Sequence, residues 1–257
     1  MEFTILIGSI LAASPPILFA VLGETITEKA GVINLSLDGS LLLAAMIGFA
    51  AALHTDSVIA GFLAGMAAGS LIAGIIAFVS LTLHQPQVAT GFVLTLLCRD
   101  LAYVLGRTYA HLPGPQVSHL AIQGLSDLPV VGPILFDQNP IVHLSLIAVM
   151  VVWVFIYKTQ PGLKLQGLGE RPASAYVRGV PVTAMRYIYT LIGGAMVGLG
   201  GASFSLMGKP GWARPYGIEG ARSRLPLSSS EGGIRSAPRW APFSSLACRP
   251  LSPFYRA

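Results

Sequence analysis

Long apolar runs separated by short polar breaks organise the chain. Residues 5–23 hold 19 positions without a charge, enough for a helix to cross the roughly 30 Å hydrocarbon layer. Pro15 and Pro16 fall in the middle of this run, and their missing backbone donors predict a kinked helix covered by neighbours. After the charged turn at 24–31, residues 32–53 are apolar apart from Asn34 and Asp38. Residues 57–83 are 27 positions without a charge, with Gly61, Gly65, Gly69 and Ala73 recurring every four. Such a stripe of small side chains predicts a face on which another helix lies closely. Residues 88–106 are apolar, but Thr90, Gly91, Cys98, Arg99 and Asp100 weaken them, predicting a broken or re-entrant helix near residues 85–106. Residues 141–157 and 187–208 complete the set, the latter with a second small stripe at Gly194, Gly198 and Ala202. The predicted fold is all-α, a polytopic transmembrane helix bundle of about six spans.

The longest polar interval between two spans is 158–186. It carries Lys158, Lys164, Arg171, Arg178 and Arg186 against Glu170, whereas residues 108–157 contain no Lys or Arg. The positive-inside bias therefore places 158–186 in the cytoplasm and the preceding loop outside. That outer loop, 108–140, holds five prolines and three glycines and shows no helical period. Within the cytoplasmic interval a short helix is predicted from Pro172 to Arg178, stopped by Gly179 and Pro181. A rigid surface helix held between two membrane helices suits a soluble partner that must push on the bilayer part; a basic loop resting on anionic lipid is the alternative.

Composition agrees: 53% hydrophobic and only 11% charged residues, with mean hydropathy +0.69, against about a quarter charged in soluble proteins. The net charge of +5 does not signal a nucleic-acid partner. Residues 1–220 balance ten cations against ten acids, and the surplus comes from six Arg and one Glu in 221–257. Cys98 and Cys248 give no metal or disulfide framework. Met1-Glu2 supplies no basic region ahead of the first run, so that run is expected to be retained as a span rather than cleaved.

Candidate chemistry is sparse. His54, His84, His111, His119 and His143 are scattered, and no metalloprotease or nucleophile-elbow motif accompanies them, which argues against a membrane-embedded enzyme. There is no phosphate-binding loop for ATP. Asn34 and Asp38, four apart, share a helix face; they cap a helix start or line a solute path. Gln85, Gln87, Thr90 and Thr95 either hydrogen-bond sugar-like hydroxyls along that path or form an interfacial turn.

Two stretches carry a family resemblance. The order Pro161-Gly162-Leu163-Lys164-Leu165, then Gly169-Glu170-Arg171-Pro172-Ala173, then Gly179-Val180 resembles the coupling segment in permease subunits of ABC importers for branched-chain amino acids, simple sugars and purine nucleosides. Residues 30–39, with Asp38 followed by Gly39, are similar to the sugar and nucleoside type. The resemblance extends over roughly residues 10 to 220. It implies that Gly169, Glu170, Arg171, Pro172, Ala173, Ala175 and Gly179 couple to an ABC ATPase subunit, which binds the ATP, so that this chain needs no cofactor. It further implies a second permease subunit, an extracytoplasmic solute-binding protein, a small polar solute and residence in the inner or plasma membrane. An ion-coupled secondary transporter is the alternative; it would show paired broken helices in two related halves, and no internal repeat is visible.

Residues 1–220 are thus expected to be the membrane-spanning domain. Residues 221–257 differ abruptly, with eight Ser, six Arg and five Pro, and read as a disordered basic tail. Shifting the codon frame across 222–235 permits small and apolar residues followed by Gly-Gly-Trp and then Asn or His and Pro, similar to a turn in these permeases. A frameshift near Gly220 is therefore expected, real or from a sequencing error, with chance in GC-rich DNA as the alternative. A real shift would leave a truncated permease without its closing helices.

Overall fold

The computed structural model describes residues 2–110, 112–117, 138–208 and Trp212, with side chains from Leu6 onward. Among these described residues nine α-helices follow in order: α1 Glu2–Ala13, α2 Pro15–Lys29, α3 Leu37–Thr55, α4 Val58–Ala77, α5 Gln87–Gly106, α6 Pro140–Lys158, α7 Gln160–Glu170, α8 Pro172–Val177 and α9 Val182–Ser203. Short π-helical turns, Phe78–Thr82 and Phe204–Gly208, extend α4 and α9. Among the described residues five helices are long and apolar enough to cross a membrane, and α1 with α2, bent by 47° at Ser14, makes a sixth. The chain is a multi-pass membrane protein built as an all-α bundle. The tail 221–257 and its frame lie outside the described residues, as does most of the predicted outer loop.

The bend falls where Pro15 and Pro16 remove two donors. The second predicted break needs correction. Residues 87–106 form an unbroken helix; the chain turns earlier, at 83–86, where His84 takes a positive φ of 53° and Pro86 precedes the new helix. Thr90, Gly91, Cys98, Arg99 and Asp100 do not interrupt it because each serves on a face. Gly91 admits the backbone of Leu35, Cys98 is buried in the core, and Arg99 and Asp100 point outward.

Helix α9 is the hub, packed against α2, α3 and α4. The two small-residue stripes meet each other: a Cβ on Gly198 would lie 2.1 Å from the Gly65 carbonyl oxygen, and one on Gly69 would lie 2.2 Å from that of Gly194. Backbones in van der Waals contact are the packing that holds helices together in lipid, where the hydrophobic effect does not.

Connections sort to two ends of the bundle. At one end His54 Nε2 meets Tyr109 Oη at 2.9 Å, Val117 N donates to Leu206 O at 3.3 Å and Gln138 Nε2 to Gly8 O at 3.3 Å. At the other end Gln87 Oε1 accepts from Ile33 N at 2.9 Å, and Arg186 Nη2 donates to Leu168 O at 3.1 Å. The second end carries α7 and α8.

Candidate functional site

Helix α7 has three glycines among eleven residues and would not hold on propensity alone. Capping and packing form it. Thr159 Oγ1 accepts from Gly162 N at 3.2 Å, and Gln166 Nε2 donates to Ile156 O at 2.7 Å at the end of α6. Leu165 and Leu168 are fully buried among Ile26, Ala30, Val152, Ile156 and Tyr189. Arg171, at φ −140° and ψ 73°, breaks the helix because a residue before proline avoids the helical region. Helix α8 then runs from Pro172 and ends in a turn in which Gly179 N, at φ +78°, donates to Tyr176 O at 2.9 Å. The predicted short helix is therefore present; α7 was not visible in the sequence.

Three backbone segments interlock beneath this pair. A Cβ on Gly169 would lie 2.5 Å from Lys29 O. Gly31, at φ +80°, lies against the guanidinium that bonds Leu168 O, with its own virtual Cβ 3.0 Å from Arg186 Nη2. The end of α7 is thereby fixed to the end of α2 and the start of α9.

The seven residues expected to couple divide into two groups. Gly169 faces the bundle through Lys29, and Ala175 packs partly under α8. Glu170, Arg171, Ala173 and Gly179 are exposed, with Pro172 half-buried. Glu170, Arg171 and Ala175 share a groove of about 380 Å³ with Leu163, Lys164, Gly167, Ser174, Arg178 and Val180. Among the described residues the one ion pair is elsewhere, between Arg99 and Asp100, so Lys164, Arg171 and Arg178 are unneutralised. Beside them Tyr176 is 73% and Val177 85% exposed. Sequence reasoning passed over these two; the signal was an aromatic–aliphatic pair inside an otherwise polar interval.

The six path candidates separate as well. Asn34 is 2% exposed, and its Oδ1 accepts from Ser36 N at 3.1 Å and Ser36 Oγ at 2.7 Å, while its own N donates to Glu24 Oε1 at 3.2 Å. Gln87 holds Ile33 N, and Thr95 Oγ1 reaches Leu35 O at 2.9 Å. Gln87 and Thr95 lace the α2–α3 turn to α5 while Asn34 braces that turn against α2, bringing together two regions that the sequence left unconnected. Gln85 and Thr90 line a shallow cavity of about 390 Å³ with Ile75, Val79 and Leu94, and both side chains bond nearby backbone, Leu83 O and Pro86 O. Asp38 is exposed and lines a cavity of about 390 Å³ between α2 and α3 with Glu24, Thr25, Glu28 and Leu41.

Comparison with known proteins follows the same outline. The family described as the permease component of branched-chain amino acid transport systems matches residues 6–219. The "Putative glucose ABC transporter permease protein TsgC13" of Haloferax volcanii is 36% identical over 205 residues, covering 78% of this chain and 62% of the relative. The "Nucleoside ABC transporter permease protein NupC" of Lactococcus lactis is 26% identical over 212 residues, covering 78% of the chain and 67% of the relative. The "Guanosine ABC transporter permease protein NupQ" of Bacillus subtilis is 27% identical over 216 residues, covering 79% and 67%. The chain thus spans about two thirds of the length of these relatives. No solved structure gives a significant match.

Proposed function

The chain belongs to the permease-component family of branched-chain amino acid transport systems, and on that premise we propose that it is the membrane-spanning subunit of an ATP-driven importer. Its solute is a simple sugar or a nucleoside, the classes named in the relatives. A separate ABC ATPase binds the ATP, a second permease subunit completes the path, and a solute-binding protein delivers from outside the cell membrane.

The observation that carries this reading is the α7–α8 pair: an exposed Tyr176–Val177 tip, unneutralised cations around a groove, and a base joined to two membrane helices. Positive charge on this side favours the cytoplasm. Five spans precede the pair, and an odd number puts the start of α1 outside. Apolar anchors ringed by charge are what a protein interface uses for affinity and steering.

Force would pass through the interlock. A shift of α8 carries Gly169, hence Lys29 and the end of α2, while Arg186 passes it to α9. Glu24 of α2 holds the backbone of Asn34, so a shift at the end of α2 is passed to the start of α3, where Asp38 lines its cavity. Tight packing makes such elements switch between discrete arrangements rather than bend continuously. Alternating access follows from that switch.

Affinity purification of the tagged chain from its native membrane tests the assignment. An ABC ATPase copurifying with it, and being lost from a Tyr176→Ala/Val177→Ala variant, is the result expected. Solute uptake driven by a proton or sodium gradient without ATP would instead establish a secondary transporter.

A further inference from the structure

Helix α5 carries two charges where a bilayer is most apolar. At the ~1.5 Å rise of a helix, Arg99 stands about 18 Å from one end and about 15 Å from the other of the span Gln87–Tyr109. Both side chains are open, 51% for Arg99 and 74% for Asp100, and their contact is loose, 3.9 Å from Nε to Oδ1. Neighbouring residues on a helix do not face each other, so this pair does not neutralise itself well. Each group reaches outward for a further partner.

The opposite side of α5 is the packed one, with Gly91, Leu94, Cys98 and Ala102 buried. Its packing is against α3 and, lightly, α4. Phe92, seven residues before Arg99, and Tyr103, four after it, lie on the Arg99 side by helical spacing. The open face at mid-membrane is therefore an arginine and a carboxylate flanked by aromatic rings, with exposed Val93, Leu96 and Val104 beside them. Lipid is a poor medium for such a face, and ionisable groups at this depth belong in a protein interior or a watered cavity.

Resting on the permease reading, we propose that Arg99 and Asp100 face the water-filled solute path and are its mid-membrane contact residues. The ligand class is a neutral polyhydroxy solute, a sugar or the ribose of a nucleoside. The pair has no net charge, offers a rigid fork of donors beside an acceptor-only carboxylate, and so fits vicinal hydroxyls, each of which is donor and acceptor at once. The aromatic flanks fit the apolar faces of such rings.

Two measurements on the full chain in lipid nanodiscs test this. With Cys98→Ala and Cys248→Ala as background, Arg99→Cys, Asp100→Cys and Leu101→Cys are each exposed to a charged, membrane-impermeant thiosulfonate; Leu101 is also exposed but, one and two residues along, faces another side of α5. The first two should react much faster than the third, and D-ribose, D-glucose or guanosine, but not L-leucine, should slow them. Because losing a charge can disturb folding, Arg99→Lys and Asp100→Asn are assayed for direct binding of the same radiolabelled solutes. Binding weakened about tenfold or more, the size of one lost charge-assisted hydrogen bond, with an unchanged melting temperature, is expected. Reaction as slow as at Leu101, which lipid or a second copy covering the face would give, overturns the proposal. So does protection by L-leucine alone, or unchanged binding. None of these readouts involves ATP coupling, so a failure here leaves the α7–α8 assignment standing, and the reverse also holds.

Discussion

Gly169 and Lys29 meet backbone to backbone, with 2.5 Å between a Cβ built on the glycine and the carbonyl oxygen of the lysine. No side chain fits there, so α7 cannot shift without taking the end of α2 with it. Gly169→Val should prise the two apart. The expected outcome is a lower melting temperature, from an overpacking cost of about 1–3 kcal/mol, and loss of ATP-driven uptake while the ATPase still copurifies. Uptake at the wild-type rate would show that force takes another route.

Tyr176 and Val177 contribute little to the fold because most of their surface is already in water. Tyr176→Ala and Val177→Ala should leave the melting temperature unchanged. Affinity for the ATPase, measured by titration of the purified subunit, should fall about tenfold for the tyrosine, as for an aromatic anchor.

Arg186 caps the end of α7 through Leu168 O, and its Nε is buried without a partner of its own. Replacing it by Met keeps the bulk and removes the bond. Amide hydrogen exchange at 168–171 should quicken while α9 stays protected. The stability loss should be about 1.5–3 kcal/mol, the range for a hydrogen bond to a charged group.

Asn34 and Asp38 share a helix face in the sequence but have different duties in the fold. Asn34→Ala leaves buried Ser36 without its acceptor, and should cost about 1–3 kcal/mol in thermal unfolding. Asp38→Asn removes an exposed carboxylate near the start of α3, worth at most about 1 kcal/mol against the helix dipole. Uptake should change in the second variant, through the cavity that Asp38 lines, while melting barely moves.

The spans were legible because charge-free runs of this length have few other uses, and the small-residue stripes were visible as spacings. Which stripe meets which was not: Gly65 and Gly198 are 133 positions apart, and spacing within a helix says nothing of its partner. Helix α7 was illegible because its glycines and lysine mimic a loop; Leu165 and Leu168 make it a helix only by burying against α2, α6 and α9. The break expected within 85–106 arose from reading Arg99 and Asp100 as interruptions, when a helix carries charges along its surface without breaking. At the candidate site, the turn at Pro172 and Gly179 could be read from local chemistry. The roles of Asn34, Gln87 and Thr95 depend on contacts between distant segments and could not.

The sidedness of α8 bears most directly on the whole account. Ser174 is exposed on that helix, and a Ser174→Cys variant, in a background with Cys98→Ala and Cys248→Ala, can be treated in whole cells with a membrane-impermeant maleimide. The account predicts no labelling until the membrane is permeabilised, then rapid labelling. Labelling from outside sealed cells would place the α7–α8 pair beyond the reach of any cytoplasmic ATPase and contradict it.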